Sequence, residues 1–300
     1  MTHIDVITGF LGAGKTTFLA RYARWLEKQN KRFCVIENEF GRAGADGALL
    51  EKQGVRVKEI SGGCVCCTLK VTLHDLIAGL DGQVDRILLE PSGLFCGDDL
   101  MDILQSPDCK VQPGMWVGIV DPLAVGDMNG EDLSVLQSEL MQAGSIVVSK
   151  AQLCEAGDVA AVPGMIAALL PAPLPRIWPD DWQTLEDDKW FPALQAAGTV
   201  PRPHERRIFD HASMFQSATL SPKRCYTESE LPRILGSLMA TEGVLRIKGA
   251  LPAEGGVWRI NVSPGCEDFF FENGSAAPVL NVIGRNLNRK HIRSILEDTK

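Results

Sequence analysis

Eight residues near the start of the chain constrain it more than any others: Gly9-Phe10-Leu11-Gly12-Ala13-Gly14-Lys15-Thr16. They match the pattern G-x-x-x-x-G-K-[ST] in full. They lie between an apolar, β-branched stretch, Ile4 to Thr8, and a stretch from Thr16 to Lys28 with apolar residues at Phe18, Leu19, Tyr22 and Leu26. A strand, a glycine turn and the start of a helix form the context this phosphate-cradling loop requires. The glycines let the N–H groups of Gly12, Ala13 and Gly14 converge on phosphate oxygens with no Cβ in the way, and the helix N-terminus adds partial positive charge. Lys15 supplies a point charge to the β- and γ-phosphates. The Thr16 hydroxyl is a candidate Mg²⁺ ligand, and Thr17 is placed to donate to the α-phosphate.

Downstream, short apolar runs alternate with helical patterns. Strands are predicted at Arg32 to Ile36, Val55 to Ile60, Arg86 to Leu89, Met115 to Val120 and Ile146 to Val148, with helices at Leu73 to Leu80 and Leu133 to Gln142. The βαβα order predicts an α/β fold, a mostly parallel sheet covered by helices on both faces. Pro171 to Pro179 and the acidic, tryptophan-bearing stretch through Trp190 read as irregular structure, and Pro201 and Pro203 as a linker. The predicted domains are therefore 1–205 and 206–300. The second reads as an α+β module: strands near Ser213 to Leu220, Leu245 to Gly249, Gly256 to Val262 and Pro278 to Ile283, and helices near Glu228 to Met239 and Asn288 to Leu296.

Glu90 closes the run Ile87-Leu88-Leu89 and is followed by Pro91-Ser92-Gly93. A carboxylate there can orient a metal-bound or attacking water, so Glu90 joins Lys15 as a candidate catalytic residue. Gly93 can bring its N–H to the γ-phosphate without steric cost. A second chemistry sits in Ser61-Gly62-Gly63-Cys64-Val65-Cys66-Cys67. Three thiols on a glycine-flanked loop can converge on one soft cation such as Zn²⁺, and Glu37 at the end of the second strand is a candidate fourth ligand. The spacing of Cys64 and Cys67 leaves a redox centre open as the alternative. The other six cysteines, Cys34, Cys96, Cys109, Cys154, Cys225 and Cys266, are scattered and read as small apolar residues.

The formal charge is -8, with 38 acidic against 30 basic side chains, which argues against a nucleic-acid partner. No run is long enough to span a bilayer, and Met1 to Asp5 has no basic n-region, so the expected compartment is the cytoplasm with reduced thiols.

Taken together, the phosphate loop through Thr17, Glu37-Asn38-Glu39-Phe40-Gly41, Gly63 to Cys67 and Glu90 to Gly93 resemble the CobW branch of the metal-related GTPases that include HypB and UreG. Gly284-Arg285-Asn286-Leu287-Asn288-Arg289 is similar to that family's second domain. The resemblance implies a SIMIBI-type P-loop GTPase domain followed by a small CobW C-terminal domain. It implies that the stretch from Glu37 to Asp46 forms the first switch and that Cys64, Cys66 and Cys67 bind zinc, cobalt or a related ion. The implied activity is GTP hydrolysis with Mg²⁺, coupled to metal delivery to a client metalloprotein, with a homodimer open as the assembly. A nucleotide- and metal-switched binding module with negligible turnover, and a small-molecule kinase, are the alternatives.

Two departures from the family matter. The guanine-reading motif Asn-Lys-x-Asp is replaced by Ser149-Lys150-Ala151-Gln152. A glutamine offers one carbonyl acceptor where an aspartate accepts two hydrogen bonds from guanine, which leaves ATP open beside GTP. The histidine-rich tract many members carry before the second domain is also absent; only His204 and His211 lie there.

Overall fold

A computed structural model describes residues 1–38, 57–60, 68–91, 97–107, 109–126, 128–179, 181–202, 216–264, 266–274 and 278–297. The chain forms two compact units. The expected boundary at 205/206 falls outside the described residues.

The first unit is built on a seven-stranded sheet. Its strands are β1 (His3–Thr8), β2 (Phe33–Asn38), β3 (Val57–Ile60), β4 (Arg86–Glu90), β5 (Gln112–Val120), β6 (Ser145–Val148) and β7 (Arg176–Trp178), in the order β3-β2-β4-β1-β5-β6-β7. Every pairing in it is parallel. The α/β fold with a mostly parallel sheet follows as expected, with β1 at the centre. All strands leave the sheet at one end, so the loops after β1, β4, β5 and β6 gather there.

Alternation along the strands explains the two covered faces. Ile7, Val35, Leu88, Met115, Val117, Ile119 and Val147 pack into one cluster with α1 (Lys15–Lys28) and a later helix, Asp187–Ala197. The remaining helices are α2 (Thr68–Leu80), α3 (Gly97–Leu104), α4 (Pro122–Gly126), α5 (Gly130–Leu140) and α6 (Ala156–Leu169) in chain order, with α7 the helix Asp187–Ala197; in this strand order right-handed crossovers carry α2, α3, α5 and α6 to the opposite face. On that face a Cβ at Gly118 would lie 2.2 Å from Leu140 Cδ2, so the absence of a side chain lets α5 sit down on β5.

The 171–190 stretch is a correction. Far from being irregular throughout, it contains β7 and leads into α7. Phe18, Tyr22 and Trp25 of α1 meet Trp182, Trp190 and Phe191, with Phe18 stacked on Trp182 at 5.6 Å and edge-on to Trp190 at 5.5 Å. Arg21 of α1 donates to Asp187 Oδ1 at 2.7 Å and lies over the Trp190 ring. Tryptophans among acidic residues show no periodic pattern that local sequence can assign; α1 supplies the face they pack on.

One buried polar group ties α1 to three strands. Asp5 is fully buried and accepts from Arg86 Nη1 at 2.7 Å, from Tyr22 Oη at 2.8 Å and from the Met115 N–H at 2.8 Å. The β1–β5 register shifts between Ile4 and Val6, where Pro113 has no N–H to give, and the carboxylate takes the Met115 donor in place of a ladder bond. Burial, then the adjacent Asp5 carboxylate, pushes the Tyr22 phenol well above its usual range.

The second unit is a five-stranded antiparallel sheet of β8 (Gln216–Leu220), β9 (Val244–Ala253), β10 (Gly256–Ser263), β11 (Cys266–Asn273) and β12 (Leu280–Gly284), ordered β11-β10-β9-β12-β8. Helices α8 (Leu231–Met239) and α9 (Arg289–Glu297) bury Leu231, Ile234, Leu235, Leu238, Ile292 and Leu296 in its core. Strand β11 was not predicted from the sequence.

Candidate functional site

The loop after β1 has the backbone its glycines predict. Gly9 adopts φ 138° and a Cβ there would lie 2.3 Å from Ile119 O, so only glycine leaves room for β5. Gly14 caps α1 with φ 96° and has no side chain to bond the helix N-terminus, and the first turn carries no acidic residue. A helix start of this kind, with its dipole and converging N–H groups, suits an external phosphate. Lys15 is buried and its Nζ donates to Gly9 O at 2.9 Å and Phe10 O at 3.2 Å, folded over the mouth of the loop. Thr17 is exposed, while Gly12 and Gly14 are half-buried and Ala13 is buried.

Thr16 and Glu90 meet. The Thr16 hydroxyl, in the first turn of α1, donates to Glu90 Oε1 at the end of β4 at 2.9 Å. A hydroxyl beside a carboxylate is a hard oxygen donor pair, the type Mg²⁺ takes, so these residues fit that ion. On the next strand Glu37 is buried and stands in register with Glu90. Strands in a parallel ladder lie about 4.8 Å apart, so the two carboxylate-bearing positions are neighbours. Cys64, Cys66, Cys67 and Gly93 lie outside the described residues.

Beyond β6, Ser149 is buried, with its hydroxyl donating to Val120 O at 3.2 Å. A Cβ on Gly14 would lie 3.8 Å from Ser149 Cβ, which puts this loop against the phosphate loop. Lys150 takes a left-handed conformation, φ 53°, and pairs through Nζ with Asp121 Oδ2 at 2.6 Å. Gln152 is exposed on the short 3₁₀ turn Ala151–Leu153.

Two participants escaped the sequence reading. Asp121 is buried at the end of β5 and holds Lys150; its signal was a carboxylate closing an apolar run, the same signal that Glu90 gave. Glu139 is fully buried on α5 and its Oε2 accepts from the Gly9 N–H at 3.2 Å. It falls on the apolar stripe of its helix with Val135, Leu136 and Leu140, where a charged residue is out of place unless it has a task. The Gly9 peptide is thereby held on both sides, its N–H by Glu139 and its C=O by Lys15.

A central strand running into this loop, with a carboxylate on the adjacent parallel strand meeting the loop's threonine, defines a P-loop nucleotide-binding protein. Residues 3–172 match the family model for the CobW/HypB/UreG nucleotide-binding domain, and the chain belongs to that family. It is 36% identical over 160 residues to the zinc chaperone YeiR of Escherichia coli, covering 50% of this chain and 47% of the relative. It is 32% identical over 206 residues to the zinc chaperone CobW of Pseudomonas aeruginosa, covering 56% and 54%. With the zinc chaperone YjiA of Escherichia coli it shares 26% identity over 267 residues, covering 84% and 82%. The chain thus spans about half the length of the first two of these relatives. Among the described residues no helix is long and apolar enough to cross a membrane.

Proposed function

We propose that this chain is a GTP-hydrolysing metallochaperone or metalloenzyme activator, in which the loop from Gly12 to Thr17 binds the phosphates and Glu37, Cys64, Cys66 and Cys67 hold a thiophilic cargo ion such as Zn²⁺. The observation that supports the reading is the Thr16–Glu90 hydrogen bond beside the register-matched Glu37, because it joins a candidate Mg²⁺ ligand to the strand next to a candidate cargo ligand. Family membership and relatives named zinc chaperones support the same reading. In it, the Thr16 hydroxyl would hold Mg²⁺, which would supply positive charge to the phosphates. Lys15 leaves its loop carbonyls to meet those phosphates, Glu90 orients the attacking water, and the Gly93 N–H bonds the γ-phosphate. Ser149, Lys150 and Gln152 border the base. The division at 205/206, a client metalloprotein, a homodimer and a cytoplasmic location belong to the same proposal.

Lys15→Ala tests it. Its side chain is the charge folded over the mouth of the loop, so the variant should lose most triphosphate affinity and all measurable turnover in a phosphate-release assay while keeping its fold. Turnover equal to the parent chain would sink the proposal.

A further inference from the structure

Strand β11 ends the C-terminal sheet in an unusual way. It runs eight residues, pairs with β10 along its whole length without a bulge, and is the outermost strand. Among the described residues nothing pairs with its free edge. Most sheets blunt such an edge with charged side chains, lysine above all, with proline, a bulge or shortness, because a row of open N–H and C=O groups invites another strand. The sequence here, Cys-Glu-Asp-Phe-Phe-Phe-Glu-Asn, has no lysine, proline or bulge and the strand is long; its charges are all acidic, which leaves the edge open to a basic strand.

Its side chains add apolar surface and charge. Phe269 and Phe271 share the face that meets Trp258, at ring-centroid distances of 6.3 and 5.4 Å, and alternation puts Phe270 on the other face. Phe270 is 46% exposed and Phe271 38%. Glu267 and Asp268 are exposed and have no ion pair among the described residues, while Glu272 pairs with Arg259. The edge is aromatic at its centre, with the exposed acids Glu267 and Asp268 on one flank.

We infer that the outer edge of β11, unpaired among the described residues, is a docking site for an extended, basic segment of a partner protein, added to the sheet as a further strand. Backbone hydrogen bonds would supply affinity, and lysine or arginine side chains beside Glu267 and Asp268 would supply choice of partner. A second copy of this chain is the poorer occupant. A second β11 carries no lysine or arginine, so it brings nothing to pair with Glu267 and Asp268. This inference goes beyond the nucleotide and metal reading and does not rest on it.

The test uses the whole chain and a labelled synthetic peptide of about ten residues alternating lysine with valine. Controls are the glutamate–valine counterpart and a lysine–valine peptide N-methylated at alternate residues. The basic peptide should bind, seen as fluorescence anisotropy, and slow hydrogen exchange at the amides of residues 266–273. Phe270→Lys and the pair Glu267→Lys with Asp268→Lys, both at exposed positions, should weaken it by about tenfold or more with an unchanged thermal melt. Lys15→Ala should bind the peptide as the parent chain does, which separates this surface from the nucleotide site. No binding, equal binding of the acidic or N-methylated peptide, protection elsewhere than 266–273, or association of the free chain through this strand would each overturn the inference.

Discussion

At the scale of single residues, the position that should most alter substrate choice is Gln152. It stands exposed on the turn after Lys150, and Lys150 is already committed to Asp121 at 2.6 Å. Neither supplies the paired acceptor that guanine's N1–H and 2-amino group require. Gln152→Asp should therefore tighten GTP relative to ATP by about 1.5–3 kcal/mol, the worth of a charge-assisted pair, with little effect on the fold. Competition of the two nucleotides for a fluorescent analogue gives the ratio, and an unchanged ratio would mean that this turn does not border the base. The loop residues were legible in the sequence because their chemistry is written in consecutive positions, as in Gly9 to Thr16. Asp121 closes an apolar run as Glu90 does and was legible by that signal; Glu139 was not, because it acts on a partner far along the chain. Glu139 reaches Gly9 across 130 positions, and only the packing of α5 on the sheet brings the two together.

At the scale of elements, the N-terminus of α8 should carry a pH-dependent part of the second unit's stability. Glu230 accepts from the Thr227 N–H at 2.8 Å, the Thr227 hydroxyl at 2.8 Å and Arg224 Nη1 at 2.9 Å. The backbone bond first, then the hydroxyl and the guanidinium, hold its carboxyl down at about 2, against an ordinary 4.5. A carboxyl depressed in the folded state stabilises fully above 4.5 and loses that contribution as pH falls towards 2. Glu230→Gln should cost about 1 kcal/mol at neutral pH, allowing for solvent screening, and the two chains should converge in acid. Denaturant melts of both chains between neutrality and acid decide it; a gap that persists undiminished in acid would assign the cost to something other than the charge. Thr227 and Glu230 have the spacing of a capping box, and the helix near Glu228 to Met239 was legible for the ordinary reasons of periodicity. Strand β11 was not, because three consecutive phenylalanines break the alternation that marks a strand with one wet face. Helix α7 escaped for the opposite reason: its tryptophan and phenylalanine face α1, a partner that local sequence does not reveal.

At the scale of the whole molecule, the proposed function requires that nucleotide and cargo metal be read by one element. The register of β2 and β4 offers the route. Thr16 bonds Glu90, Glu90 closes β4, and Glu37 stands across from it on β2, at the head of the stretch the family resemblance assigns to the first switch. A triphosphate that engages Thr16 alters what Glu90 can bond. If that change fixes the Glu37 carboxylate toward the thiols, metal and nucleotide bias the same equilibrium. Linkage then makes each ligand change the other's affinity by one shared factor, commonly worth about 1–3 kcal/mol. Zn²⁺ should accordingly bind more tightly beside a non-hydrolysable triphosphate than beside a diphosphate, by roughly fivefold to 150-fold. Glu37→Ala should erase the difference by removing the ligand that follows the nucleotide. Cys66→Ser should weaken Zn²⁺ in both states, because a thiolate is lost whatever the nucleotide does. Competition with a chromophoric chelator in each nucleotide state measures all of these. Equal zinc affinities in the two states of the parent chain would break the coupling even with the cysteines binding metal, and a difference that survives Glu37→Ala would move the coupling away from the β2–β4 pair.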